Sequence, residues 1–276
     1  MKILQAVHPA DFKNYDTALI RERFLLDDIA QGEGANFVYT HYDRMVIGAV
    51  ISAGRKYELE NDDDLKSNYF LERREMGIIN VSGEGIVMAD EKEFVLGKLD
   101  CLYLGKGTQQ VSFKSAATDQ PSVFFILSAP AHASYPTVLM ANDAAARVDL
   151  GDQQTANKRT IFKYIHKDGI ESCQLVMGLT ILHPGSIWNT MPPHTHDRRM
   201  EAYFYFDLAP EHRVFHYMGQ PHETRHILMG NHQAVVSPPW SIHAGSGTSN
   251  YSFIWGMAGE NMEFTDMDAI AIKDIR

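Results

Sequence analysis

Short runs of β-branched and aromatic residues, cut every few positions by Gly, Asp or Asn, constrain this chain more than any other feature. ANFVYTHYDRMVIGAVISAG and GIINVSGEGIVMADEKEFVLGKLDCLYLGKG carry the pattern in the first half, and CQLVMGLTILHPGSIWN, MEAYFYFDL, RVFHYM, HILMGNHQAVVSPP and YSFIWGMAG repeat it in the second. Runs of this length bounded by turn residues read as hairpin-linked strands, and their regular spacing favours β-sandwiches or jelly rolls. One segment departs from the pattern: YDTALIRERFLLDDI, residues 15–29, has Leu19, Arg23, Leu26 and Ile29 at a helical period. Between the halves, residues 143–160 are polar and strand-poor, which reads as a linker. The expected fold is therefore all-β with a few short helices, in two domains spanning 1–150 and 151–276.

Composition narrows the partners. At 276 residues and 45% hydrophobic, the chain can bury a sizeable core. A formal charge of −10 opposes association with nucleic acid or an anionic membrane surface, so a small molecule is the expected ligand. No apolar run approaches the roughly 20 residues that a helical membrane span needs. Only two cysteines occur, Cys101 and Cys173, which argues against a disulfide framework and for a reducing cytoplasm.

The chemistry concentrates in PPHTHDRRMEAYFYF, residues 192–206. Residues two apart on a strand share a face, so His194 and His196 present two imidazoles together. Glu201 stands at an odd step from His196 and would fall on the opposite face of an unbroken strand; a bend or bulge at DRRM restores it. His243, in SPPWSIHAGSG, stands where a strand leaves a Pro-rich turn, and two hairpins can return it to the first pair. Three imidazoles and one carboxylate suit zinc, iron, manganese or nickel, with positions left for water or substrate. Tyr203 and Tyr205 alternate with Phe204 and Phe206, so one pair is available to line a pocket while the other packs between sheets. Trp188, Trp240 and Trp255 are expected to fill the barrel.

The set of His-x-His, Glu, strand and Pro-bounded turn with a last His resembles the two signature motifs of the cupin superfamily. YFLERREMGIIN, LYLGKG, APAHASYPT, CQLVMGLT, WNTMPPHTHDRRMEAYFYF, MGQPHETRHILM, SPPWSIHAGSGT and YSFIWGMAGEN together resemble the 5-keto-4-deoxyuronate isomerase family. That resemblance implies a bicupin with one metal site per subunit in its C-terminal barrel, usually held to be zinc, with His194, His196, Glu201 and His243 as ligands. It implies a metal-free N-terminal barrel, a homohexamer, and interconversion of 5-dehydro-4-deoxy-D-glucuronate and 3-deoxy-D-glycero-2,5-hexodiulosonate in bacterial pectin degradation.

Such a ketol isomerisation needs a proton-transfer group and a carboxylate clamp besides the metal. GQPHETRHILM offers Glu223 as base and Arg225 as clamp on one strand face, the alternative being an ion pair between them. Arg159, Arg198 and Arg199 are further carboxylate candidates. A cupin dioxygenase using iron, a related 5-deoxyglucuronate isomerase and a non-catalytic sugar-binding bicupin are the competing readings. No glycine-rich phosphate loop or dinucleotide fingerprint is present.

Overall fold

A computed structural model describes residues 1–276. Nearly all the regular structure is strand, in two seven-stranded sheets, two four-stranded sheets and one two-stranded ribbon. The named pairs are antiparallel except that of Lys2–Leu4 with Gly34–Thr40. In the first half, a seven-stranded sheet centred on Val46–Ser52, Ser122–Pro130 and Arg74–Asn80 faces a four-stranded sheet of Tyr57–Glu58, Val111–Ser115, Gly85–Ala89 and Lys92–Leu96. Met76, Ile78, Phe124 and Ile126 of the large sheet meet Val87, Leu96 and Phe113 of the small one in a closed apolar core.

The second half repeats this plan. Arg159–Ile165, Val176–Leu182, Ser252–Gly259, Arg199–Phe206 and Gln233–Ser237 lie side by side in the larger sheet, and Trp188–Asn189, Ile242–Gly247, Val214–Gln220 and Glu223–Met229 form the smaller. The two large sheets then pack against each other. Phe125 stacks on Phe204 with ring centroids 4.4 Å apart, and a Cβ at Gly256 would lie 2.1 Å from Leu127 Cδ1, so glycine there permits the close approach. The buried Glu75 carboxylate bridges the halves, accepting from the backbone N–H groups of Cys173, Gln174 and Leu175 and from the Tyr103 hydroxyl. Alternate residues of Arg199–Phe206 thus serve two cores. Met200, Ala202, Phe204 and Phe206 face the other large sheet, while Arg199, Glu201, Tyr203 and Tyr205 face their own barrel.

Sheet membership departs from a division after residue 150 at two places. Ala146–Leu150 pairs with Arg159–Ile165, and Leu25–Leu26 pairs with Val235 and Ala234; both belong to the second large sheet. The expected linker at 143–160 is thus partly a strand. It is an edge strand with one neighbour, largely exposed, and for that reason polar enough to read as loop. The expected helix at 15–29 is shorter, Thr17–Phe24, capped by Asp16, whose side chain accepts from the Leu19 N–H. It ends where Leu25 and Leu26 enter the sheet. With the short helix Pro9–Phe12 it packs on the second barrel through Phe12, Phe24 and Trp240. Trp240 therefore covers the barrel from outside, and Trp188 stacks on Tyr217 on the outer face of the small sheet. Of the three tryptophans, only Trp255 faces the second barrel's cavity. No helix is long and apolar enough to cross a membrane.

Candidate metal centre

The opening bend that the histidine spacing demands is a turn. His194–Thr195 form a short strand, Asp197 and Arg198 turn the chain, the Arg199 N–H donates to the His196 carbonyl, and Arg199–Phe206 begins at once. The turn offsets the odd step and returns Glu201 to the histidine side. His243 arrives on Ile242–Gly247, which crosses the barrel in the facing sheet. One ligand atom each from His194, His196, Glu201 and His243 lies within 4.8 Å of the others.

Their contacts fit a cation. His196 Nδ1 lies 3.0 Å from the Arg199 carbonyl, to which it donates, leaving the Nε2 lone pair directed at Glu201 Oε2, 3.1 Å away. His243 Nε2 sits 2.8 Å from the same oxygen and 2.9 Å from His194 Nε2. Four electron-rich atoms converge on one point; shared protons or a bound cation must offset their repulsion. Burial alone would raise the Glu201 carboxyl, but His243 and His196 beside it outweigh that and hold it far below the usual carboxylate range. Burial opposes charge on His196 too, yet Glu201 raises its pKa, whereas burial and the neighbouring His243 push His194 down to about 3. The carboxylate is thus kept anionic and His194 kept neutral, the protonation states that ligation requires. Three imidazole nitrogens and one carboxylate oxygen suit a borderline divalent ion with room for further ligands.

The cluster borders a cavity of about 350 Å³. Phe253, Trp255, Met257, Phe264 and Met267 give it an apolar wall, and Arg159, Thr190, Arg199 and Tyr203 supply polar groups. Arg159 bonds only the Asn157 carbonyl, through Nη1, leaving its other nitrogens available to the cavity. Arg199 is fully buried and held by the carbonyls of Glu263 and Asp266, while Arg198 pairs with the Asp266 and Asp268 carboxylates. These contacts clamp the C-terminal segment beside the site, where Ala269 and Asp268 pair with His194 and Thr195. Phe264, Met267 and Ala269 line the cavity from that segment; no sequence motif marks them.

The sequence candidates divide accordingly. His194, His196, Glu201, His243 and Arg159 come together; Glu223 and Arg225 do not join them. Arg225 stands in register with Met218, itself opposite His243, so it has the expected face. That face is covered there by the N-terminal segment. Phe12 sits against Gly219, and Arg225 donates to the Lys13 carbonyl while pairing with Glu223 at 2.7 Å. The pair is a half-exposed structural contact, the alternative reading of GQPHETRHILM.

The KduI/IolB family model matches residues 25–273. The chain belongs to the KduI/IolB family. A family relative from Shouchella clausii, named 4-deoxy-L-threo-5-hexosulose-uronate ketol-isomerase, is 51% identical over 276 residues, covering 100% of both chains. A protein of the same name from Halalkalibacterium halodurans is 52% identical over 271 residues, 98% of each chain. Among solved structures, an IolB-like protein from Salmonella typhimurium aligns with a TM-score of 0.70 at 15% identity, covering 90% of this chain and 96% of that one. The likeness shows a shared fold, two barrels in tandem, each of a seven-stranded and a four-stranded sheet.

Proposed function

We propose that this chain is a ketol-isomerase acting on 4-deoxy-L-threo-5-hexosulose uronate, the 5-dehydro-4-deoxy-D-glucuronate of pectin degradation, and yielding 3-deoxy-D-glycero-2,5-hexodiulosonate. The observation that carries the reading is identity at about half of all positions, over the full chain, with relatives of that name. The reaction moves one hydrogen from a hydroxyl-bearing carbon to the adjacent carbonyl carbon and one from the hydroxyl to the carbonyl oxygen. Atoms and electrons balance within the substrate, so no redox partner is needed.

His194, His196, Glu201 and His243 would hold one divalent ion per subunit, zinc being the first expectation and iron, manganese and nickel the alternatives. Such an ion supplies Lewis-acid polarisation of a carbonyl oxygen. Arg159 offers its planar fork to the substrate carboxylate. The apolar wall excludes water from the opposite side, which strengthens both electrostatic contacts. The enzyme is proposed to work in the cytoplasm as a homohexamer, which light scattering of the purified protein tests.

Elemental analysis, paired with an anaerobic isomerisation assay before and after chelation, tests the activity itself. Turnover without oxygen, lost on chelation and restored by one metal equivalent, supports the proposal. Full activity after verified metal removal defeats its metal dependence, and oxygen consumption with bound iron would favour a dioxygenase.

A further inference from the structure

Within the cavity wall, two hydroxyls carry one more proton than the protein can accept. Tyr203 Oη and Thr190 Oγ1 lie 3.1 Å apart, and both residues line the cavity. Thr190 Oγ1 also receives a hydrogen bond from Asn189 Nδ2 at 3.0 Å, and Asn189 Oδ1 is in turn occupied by the Tyr251 hydroxyl. Thr190 therefore accepts from its neighbour and has only Tyr203 to donate to. Whichever of the two hydroxyls donates to the other, the second retains an O–H with no protein acceptor. Tyr203 is buried and Thr190 half-buried, so the spare O–H faces the cavity, where it is costly unless something there accepts from it. Tyr203 is 2% exposed, and its ring is held by Phe253 at 4.9 Å and lies 5.7 Å from the His243 ring. It stands two residues after Glu201 on the same face of one strand, roughly 7 Å along it, a span that a bound sugar acid bridges.

We infer that the Tyr203–Thr190 hydroxyl pair is a hydrogen-bond donor to a substrate oxygen that gains negative charge as hydrogen transfers. This role rests on the isomerase reading above. The pair acts as a neutral, preorganised donor, so its contribution appears in the transition state more than in ground-state binding. Asn189 and Tyr251 fix its orientation from behind.

The test compares the metal-loaded parent with Tyr203→Phe, Thr190→Val and Thr190→Ser, measuring kcat, KM and bound metal. Tyr203→Phe is expected to lower kcat about a hundredfold, with KM changed by less than about threefold and metal content equal to the parent's. Thr190→Val should also lower kcat, and Thr190→Ser, which keeps the hydroxyl, should recover much of it. A fully metallated Tyr203→Phe with kcat within about twofold of the parent overturns the inference, as does a variant altered in KM alone. Should Tyr203→Phe fail to fold or to load metal, the Thr190 variants decide: Val equal to the parent refutes the role, while loss in Val with recovery in Ser upholds it. A parent protein without isomerase activity removes the functional reading and this inference together, and the parent control separates that outcome from the others.

Discussion

Acid should weaken this fold through His216. The side chain is fully buried in the second barrel, with Nδ1 2.8 Å from the Tyr205 hydroxyl and Nε2 facing no protein partner. Tyr203 and His243 close the space around it, and burial, followed by the nearby His243, pushes its pKa down to about 3. The unfolded chain titrates this histidine near the ordinary value of about 6.5. Above that value both states are neutral there and His216 adds no pH dependence. As pH falls below it the unfolded state takes a proton that the folded state refuses, so stability drops by about 1.4 kcal/mol per pH unit until the folded group also titrates. Between pH 8 and pH 5 the loss from this one residue is about 2 kcal/mol. Urea unfolding of metal-free parent and His216→Gln at both pH values isolates the effect, because the other titrating groups are common to both proteins. The parent should lose about 2 kcal/mol more than the variant over this interval. Equal losses would show that His216 accepts a proton in the fold, and would refute the account of its burial.

Three further outcomes follow from the site. Glu201→Gln removes the only anionic ligand of the cluster, so metal per chain, read by elemental analysis, should fall at least about tenfold and turnover with it. Arg159→Met should raise KM for the uronate by about 10- to 100-fold, the equivalent of a charged hydrogen bond at about 1.5–3 kcal/mol, with a smaller change in kcat; steady-state kinetics read the split. Glu223→Gln should leave kcat within about twofold of the parent, because the residue pairs with Arg225 under the N-terminal segment; a hundredfold loss would return it to the catalytic machinery.

The sequence made the convergence of the four side chains legible because strand periodicity is short and strict. His194 and His196 share a face by spacing alone, and the odd step to Glu201 required the turn that Asp197 and Arg198 form. The alternation of Tyr203 and Tyr205 with Phe204 and Phe206 set the two pairs on opposite faces, but of the four only Tyr203 lines the cavity; Tyr205 bonds His216 inside the barrel. Spacing says which way a side chain points and nothing of what covers it. Arg225 has the expected face, yet the Lys13 carbonyl takes up its guanidinium from more than two hundred positions earlier. The pairing of Leu25–Leu26 with Val235 and Ala234, and the placement of Phe264 and Met267 beside the ligands, are likewise long-range contacts with no local signature. Thr190 escaped notice for a different reason: a lone threonine in a loop acquires a role only from the hydroxyl placed opposite it.

Building the site on a central strand rather than on loops ties its precision to the packing of the whole molecule. Arg199–Phe206 is buried along its entire length, with neighbours on both sides in the sheet and cores on both faces. A displacement of Glu201 or Tyr203 would have to move Phe204 against Phe125 and, through it, the first barrel. The N-terminal half thus contributes to the site without contributing a ligand: it fixes the strand that carries two of the groups the chemistry needs. The interior makes the matching allowance at Gly245, where a Cβ would stand 2.6 Å from Asn189 Oδ1 and 3.1 Å from the Tyr251 hydroxyl. A side chain there would push apart the contact that orients Asn189 toward Thr190. Rigid backing and a glycine gap together let neutral hydroxyls hold a fixed direction in a buried wall, which is the condition for a donor to favour a transition state over the substrate it arises from.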